Sequence, residues 1–164
     1  MTEPYHLSLT EAGGLIGRRK LSPVELVDAV LARVEAIDLR LHSYITVVAD
    51  RARAEAKVAE AEIMTGRWRG PLHGIPFGVK DNYYTAGIRT TGASRLMLDH
   101  VPTETATCIE KLQAAGSILI GKHNAWEYGT GGGGFYVYDL FLRCNWIEAS
   151  RGDGRLILGD RRAF

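Results

Sequence analysis

The sequence has little cysteine and no long apolar run. Its 164 residues include two cysteines, Cys108 and Cys144, which make neither a disulfide framework nor a zinc site, so a reducing compartment is the default expectation. No apolar stretch approaches the roughly 18 residues that a membrane span needs. The first ten residues also lack the basic-then-apolar pattern of a secretory signal. We therefore expect a cytoplasmic protein without a membrane partner.

An excess of charge of either sign is also lacking. The 20 Lys and Arg residues balance the 19 Asp and Glu residues to a net charge of +1, so no general field attracts nucleic acid, and we expect none to bind directly. The five histidines show no i, i+4 pairing and no cysteine partner, so we expect neither a metal site nor a cofactor. What the chain does have is 46% hydrophobic residues, enough for the core of one ordinary domain.

Residues 1–70 have the pattern of a helical arm. The run Ser22–Glu25 predicts a helix start, because a serine can cap the first turn, proline suits the first helical position, and the glutamate completes a capping box. The short β-branched stretch His42–Val48 predicts a brief strand or an extended linker. Residues 50–65 are rich in Ala, Glu and Arg and predict a second, exposed helix.

The spacing of the apolar residues changes in the next stretch, residues 71–134. Ile75–Val79 is a short apolar run that predicts a buried strand, and Thr103–Ala115 predicts a helix capped by its first residue. Ser117–Ile120 predicts a second strand, closed by Gly121. Strand, helix and strand in this order predict a βαβ unit in a largely parallel, covered sheet. The remaining residues, 135–164, show no clear period, and we treat them as an atypical tail.

A phosphate-loop pattern occurs within this stretch. Gly116–Lys122 matches the spacing G-x-x-x-x-G-K, but His123 stands where the motif needs a hydroxyl for Mg²⁺. The four intervening residues also read as an apolar strand. We therefore prefer a strand here and keep nucleotide binding only as a third functional alternative.

A second glycine pattern lies at the end of the stretch. Gly129, Gly131 and Gly134 satisfy G-x-G-x-x-G, yet a dinucleotide fingerprint should follow a strand and open a helix, and the flanking residues predict neither. Two interpretations stay open: a flexible loop, or a backbone that must approach a ligand closely.

Lys80 is the residue whose place in the pattern suggests chemistry. It directly follows the strand Ile75–Val79, so its ammonium would sit at the carboxyl end of a parallel strand, where open α/β sheets place their sites. The alternative is an ordinary strand-end lysine that reaches solvent.

The residues around Lys80 resemble the amidase signature family, which includes amidases and one subunit type of the tRNA-dependent amidotransferases. The run Gly70–Asn82 carries a highly specific Gly-Val-Lys-Asp-Asn block. The run Thr90–Ser94 reads T-T-G-A-S here, where the family more often has T-T-A-G-S. The likeness covers residues 1 to about 134, including the stretches Leu21–Val27, Asp99–Pro102, Ala106–Gly121 and Gly121–Gly131.

The resemblance implies a fold and a mechanism. The fold class would be α/β: a helical arm over 1–70, followed over 71–134 by the first part of an amidase-type mixed or parallel sheet covered by helices. This sheet would be incomplete, with an open edge that favours self-association. The family hydrolyses small carboxamides with a Ser–cisSer–Lys arrangement and an acyl-enzyme. By resemblance Lys80 is the base, which must be neutral, so burial would have to lower its ordinary pKa of about 10.4. Thr130, Gly131 and Gly132 would line the substrate pocket.

The departure from the family lies beyond this loop. The family continues with a G-G-S-S-x-G motif that supplies the bridging serine, whereas Ser150 is the only serine after Lys122 in this sequence. We therefore expect a truncated amidase-family chain that is inactive alone. The alternative is a non-catalytic binding or assembly fragment, similar to part of an amidotransferase. Substrate identity stays open, as does the oligomeric state.

A shifted reading frame would explain the tail. The residues Asp153–Gly159 can be encoded as GAC GGG CGG CTC ATC CTC GGG, and the same bases shifted by one read Thr-Gly-Gly-Ser-Ser-Ser-Gly. That is the family's missing serine motif, at a familiar distance from Trp146. We therefore expect the frame to slip shortly after Gly134, and sequencing the gene tests this expectation.

Overall fold

The computed structural model describes residues 3–129 together with two short strands further along the chain. The described helices are α1 (Leu9–Gly17), α2 (Pro23–Leu41), α3 (Ala49–Met64) and α4 (Thr107–Ala114), with short 3₁₀ turns at Pro4–His6, Arg95–Met97 and Glu127–Gly129. The strands are β1 (Tyr44–Val47), β2 (Pro76–Lys80), β3 (Ile118–His123), β4 (Ile147–Ala149) and β5 (Leu156–Leu158). No helix in these described residues is long and apolar enough to cross a membrane.

The arm is helical as predicted. The α2 helix begins at Pro23, and the Ser22 hydroxyl accepts from the backbone amides of Val24 at 3.0 Å and Glu25 at 3.4 Å. That hydroxyl also donates to Glu60 of α3 at 2.6 Å, so the cap ties the two helices together. The reciprocal capping box predicted here is complete one helix earlier instead, between Ser8 and Glu11 at the start of α1.

The central sheet is mixed and has the order β1-β3-β2. The β2 and β3 strands are parallel, with α4 in the connection between them, which is the predicted βαβ unit. The short strand predicted near Tyr44–Val47 joins the same sheet as β1, antiparallel to β3. The fold is thus α/β, as expected. The β4 and β5 strands form a separate antiparallel pair within the tail, where the sequence pattern indicated no strand.

Two predicted boundaries were wrong. The fourth helix starts at Thr107 rather than Thr103, with Ala106 as its N-cap. The Thr105 hydroxyl, in the segment before it, accepts from the Ala86 amide at 3.0 Å. The β3 strand does not close at Gly121 but continues to His123. A Cβ on Gly121 would lie 2.5 Å from the Thr46 carbonyl oxygen, so this glycine allows β1 to pack closely rather than ending the strand.

The core covers β3 on both faces. One apolar cluster joins the sheet to α2 and α3, and a second joins it to α4 and the loop after β2. The members of the first are Val27, Leu31, Ala52, Ala56, Ala59, Ile118 and Ile120, and those of the second are Val79, Ile88, Ile109 and Leu119. Since both faces are covered, the groups that remain accessible on β2 and β3 lie at the strand ends.

Candidate active site

Lys80 is the last residue of β2 and lies at the carboxyl end of this parallel strand, as predicted. Its side chain is half-buried, and its Nζ donates to the carbonyl oxygen of Gly129 at 3.5 Å. On β3 the residue in register with Lys80 is His123. The lysine amine is therefore held against a backbone carbonyl rather than extended into solvent.

The close approach between the Lys80 amine and the backbone requires a glycine at position 129. Gly129 has a φ of +76°, and a Cβ at this position would lie 2.9 Å from Lys80 Nζ and 2.7 Å from Asn82 Nδ2. For this one residue of the G-x-G-x-x-G pattern, the structure favours close approach over an unconstrained loop, although the approaching group is the lysine. The predicted pocket residues Thr130, Gly131 and Gly132 lie outside the described residues, as does Gly134.

Three chain segments meet around the lysine. The carbonyl oxygen of Asp81 accepts from the Gly92 amide at 3.2 Å, and the Gly92 carbonyl accepts from the Tyr128 amide at 2.7 Å. Tyr128 precedes the glycine whose carbonyl faces Lys80. The chain thus makes a closed path from Lys80 through two backbone hydrogen bonds and back to the lysine amine.

Asp81 is completely buried next to Lys80. Its Oδ2 accepts from the Thr91 amide at 2.8 Å and from the Thr91 hydroxyl at 2.5 Å, while its own amide donates to the His123 carbonyl at 3.0 Å. Its other carboxylate oxygen, Oδ1, has no hydrogen-bond partner among the described residues. The aspartate side chain therefore anchors the turn at Thr91.

Lys122 is the buried cation that the sequence pattern did not identify. It is 0% exposed, and its Nζ donates to the Tyr83 carbonyl, to Thr85 Oγ1 at 3.1 Å and to Thr90 Oγ1 at 2.9 Å. Burial lowers the pKa of Lys122 to about 8, and the Asp81 carboxylate opposes that shift.

The environment of Lys122 removes the nucleotide-binding alternative. Residues 118–123 of the G-x-x-x-x-G-K match form a strand, not a loop that could surround phosphates. The lysine that such a motif would offer to phosphate makes all three of its hydrogen bonds within the protein. Only the polar character of Thr85 and Thr90 in the sequence could have hinted at a buried partner.

His123 completes this edge of the sheet. Its ring packs against Tyr44, with the two centroids 4.5 Å apart, and covers Gly78, where any Cβ would overlap the imidazole. Burial lowers the pKa of His123, and Asp38 partly offsets this effect. The imidazole is therefore neutral near pH 7.

The segment Thr90–Ser94 reads T-T-G-A-S instead of the T-T-A-G-S commoner in the family. It lies in the turn that supports Lys80. Gly92 and Ala93 both have left-handed backbone, with φ values of +59° and +56°. Glycine adopts this region freely, whereas alanine does so at a cost of roughly 1 kcal/mol. The buried Ala93 is therefore a point of backbone strain. The order A-G, commoner in the family, would put the glycine at this second position.

A second polar cluster lies at the opposite, amino-terminal edge of β3, beside a groove of about 420 Å³. Here His73 is 1% exposed, its Nδ1 accepts from the Arg69 amide at 3.1 Å, and its Nε2 lies 3.2 Å from Glu62 Oε2. The guanidinium of Arg69 donates to both oxygens of Glu62, at 2.8 and 2.6 Å. Every charged group in this cluster has a direct partner.

Comparisons with known proteins indicate the same family as the residues around Lys80. The profile of the Amidase family matches residues 25–138. The A-type subunit of glutamyl-tRNA(Gln) amidotransferase from Anaeromyxobacter dehalogenans is 43% identical over 129 residues, which are 79% of this chain and 26% of that protein. Its counterpart of the same name from Moorella thermoacetica is 39% identical over the same shares.

Solved structures resemble the chain to a similar extent. The native peptide amidase of Stenotrophomonas maltophilia superposes with a TM-score of 0.72 at 32% identity, covering 77% of this chain and 26% of that one. An amidase family protein from Bacillus anthracis has a TM-score of 0.69 at 29% identity, over 76% and 25% of the two chains. The chain thus spans about a quarter of the length of the relatives it matches.

Proposed function

This chain belongs to the amidase family, and we propose that it carries the lysine half of that family's amide-hydrolysing site. In this proposal Lys80 is the base of a Ser–cisSer–Lys arrangement. It takes a proton from a bridging serine, which in turn activates the serine that attacks the carboxamide carbon. The amine leaves, and water then releases the acyl group from the enzyme.

The observation that carries the proposal is the setting of Lys80. The residue ends a parallel strand, is half-buried, and has its Nζ directed to the Gly129 carbonyl oxygen at 3.5 Å. The adjoining turn Glu127–Gly129 leads into the glycine-rich stretch expected to line the pocket. A basic amine at the carboxyl edge of an α/β sheet, beside such a stretch, is suited to proton transfer at a bound amide.

We further propose that these 164 residues do not turn over amides by themselves. The family's serine motif supplies the bridging serine that relays the proton. The sequence contains no G-G-S-S-x-G. A lysine without a serine to activate cannot form the acyl-enzyme. Purified 164-residue chain should therefore leave simple carboxamides unhydrolysed.

A chimera tests the role of Lys80. Residues 1–129 of this chain would be joined to the remainder of the Stenotrophomonas maltophilia peptide amidase, whose matching segment is 32% identical. We expect the chimera to hydrolyse a peptide amide, and Lys80→Ala to abolish kcat. The control Lys111→Ala, an exposed lysine on α4, should leave kcat unchanged. Equal activity in the Lys80→Ala chimera would refute the base role.

The second candidate function is a non-catalytic assembly piece. It is favoured by the curated relatives, which are amidotransferase components 38–43% identical to the chain. The β2 strand pairs with β3 on one side, and within residues 3–129 no strand covers its other side, so we propose that this edge mediates self-association. Sedimentation velocity over a concentration series should then give species larger than a monomer, and a monomer throughout would exclude that contact. Saturable partner binding that is insensitive to Lys80→Ala would support the assembly role.

A further inference from the structure

A buried polar cluster lies behind Lys80, and the proposed proton transfer uses none of its side chains. Asp81 and Thr91 follow β2, Lys122 belongs to β3, and all three are completely buried. Thr85 and Thr90, each 1% exposed, complete the cluster. Burying this many polar groups is unfavourable unless hydrogen bonds compensate them, and the hydrogen bonds here link separate segments of the chain.

Lys122 joins β3 to the segment that follows β2. Its three hydrogen bonds all end on that segment, at the Tyr83 carbonyl and at the hydroxyls of Thr85 and Thr90. An ammonium has three protons to donate, and all three are used. Lys122 is thus a cross-link, and its complete burial separates it from any substrate at the surface of this edge.

Asp81 joins the same segment to the turn that faces the lysine. Its carboxylate holds Thr91 by two hydrogen bonds of 2.8 and 2.5 Å. The next residue, Gly92, donates to the Asp81 carbonyl and accepts from the Tyr128 amide at 2.7 Å. Tyr128 is directly followed by Gly129, whose carbonyl oxygen receives the Lys80 amine.

We propose that Asp81 and Lys122 are positioning residues for Lys80, acting through the 83–92 segment and the Gly129 carbonyl. Lys122 holds the segment on β3 at both of its ends, through Tyr83 and Thr85 and through Thr90. Asp81 holds it at Thr91. Together they determine where Gly129 meets the Lys80 amine. The functional meaning of this arrangement rests on the proposed role of Lys80 as base, but the arrangement itself is measurable without turnover.

Acetylation of individual lysines measures this support in the 164-residue chain. The chain would be treated with limiting acetylating reagent at constant pH, and the rate at each lysine read by mass spectrometry. The completely buried Lys122 is an internal reporter of unfolding, and the exposed Lys57 and Lys111 report reagent strength. The rate at Lys80 in the unchanged chain is the reference for the variants.

The key variant is Thr91→Val, which removes one hydroxyl donor to Asp81 without changing any charge. We expect acetylation of Lys80 to accelerate several-fold while Lys122 stays unreacted, because the turn loosens while the fold is kept. Thr91→Ser restores the hydroxyl and should restore the slow rate. The matched control Thr65→Val removes an exposed hydroxyl that bonds the Ala61 carbonyl at the end of α3, and should leave the Lys80 rate unchanged.

If Thr91→Val unfolds the chain, Lys122 will become acetylated. A second variant then keeps the test decisive. Thr90→Val removes one acceptor of the Lys122 ammonium and should also accelerate Lys80. An unchanged Lys80 rate in a folded Thr91→Val or Thr90→Val chain would overturn the positioning role. An active Lys80→Ala chimera would instead overturn the base role alone, so the two failures are distinct.

Discussion

The two ends of the β2–β3 pair each bury an ionisable side chain, but they stabilise it in different ways. At the amino-terminal edge, His73 lies directly against Glu62, and Arg69 satisfies both oxygens of that carboxylate. At the carboxyl edge, Lys122 is bound by neutral oxygens, and Asp81 retains one oxygen without a described partner. The charged groups of the first edge are paired directly, whereas Lys122 and Asp81 at the second edge are held by hydrogen bonds to neutral groups.

Burial lowers the pKa of the buried base at each edge. Burial, aided by Arg69, lowers the pKa of His73, so this imidazole is neutral and structural near pH 7. Glu62 also has a lowered pKa, chiefly because Arg69 donates hydrogen bonds to it. At the other edge, the lowered pKa of Lys122 measures a burial that its surroundings do not fully compensate.

The largest effect should come from deleting the buried cation. We expect Lys122→Ala to lower the free energy of unfolding by about 3–5 kcal/mol, because it leaves a cavity and three buried acceptors without their donor. Chemical denaturation followed by circular dichroism measures the loss. Lys122→Met fills most of the same volume and should cost clearly less. Equal losses for both variants would show that the lost ammonium contacts, and not the cavity, account for the effect.

Lys122 and His73 should affect stability in separate pH windows. Because the folded-state pKa of Lys122 is about 8, against 10.5 ordinarily, the unfolded chain binds more protons between these values, so stability rises across the window, by up to about 3 kcal/mol. His73 also has a lowered folded-state pKa, so its contribution is present above about pH 6.5 and is lost as the pH falls.

Variants assign each limb of the stability–pH profile. Lys122→Met should flatten the alkaline rise and leave the acid limb intact. His73→Gln should reduce the acid limb, with His123 accounting for the remainder, since its pKa is lowered too. Denaturation midpoints measured from pH 5 to 10.5 test which residue causes each limb. An alkaline rise that persists in Lys122→Met would contradict the assignment of that rise to Lys122.

A glycine pair tests how tightly the amino-terminal edge is packed. Gly116 has a φ of +89°, and a Cβ there would overlap the His73 ring. Gly66 has a similar φ of +84° with no atom within 4 Å. We expect Gly66→Ala to cost about 1 kcal/mol from backbone strain alone, and Gly116→Ala about 2–3 kcal/mol because overpacking adds to it. Similar losses in thermal unfolding would mean that His73 moves aside freely.

The smallest expected effect is a gain at the carboxyl edge. Ala93 holds a φ of +56° in the turn that supports Lys80, so Ala93→Gly should raise the free energy of unfolding by roughly 1 kcal/mol, less the entropy that glycine adds to the unfolded chain. Ala86, whose φ is not positive, is the matched control, and Ala86→Gly should destabilise slightly. A loss on Ala93→Gly would show that the turn carries no backbone strain.

Local patterns predicted the elements better than their ends. Ser22 and Pro23 begin α2 as expected, because capping depends on atoms within one turn of the chain. Thr103 lies outside α4, which starts at Thr107, and in the segment between them Thr105 bonds Ala86, a partner 19 positions away. Gly121 was expected to close β3 and instead lies within it. Its lack of a side chain allows β1 to pack closely against β3. Each error involves a partner distant in the sequence.

The sequence by itself determined the α/β class, the βαβ unit and the position of Lys80 at a strand's carboxyl end. These follow from periodicity, capping and one short motif, all properties of neighbouring residues. Only the tertiary structure decided which lysine is buried, that Asp81 holds Thr91, and that Gly129 receives the Lys80 amine. Burial and hydrogen-bond partners depend on how separate segments pack around β3, and no local pattern encodes that packing.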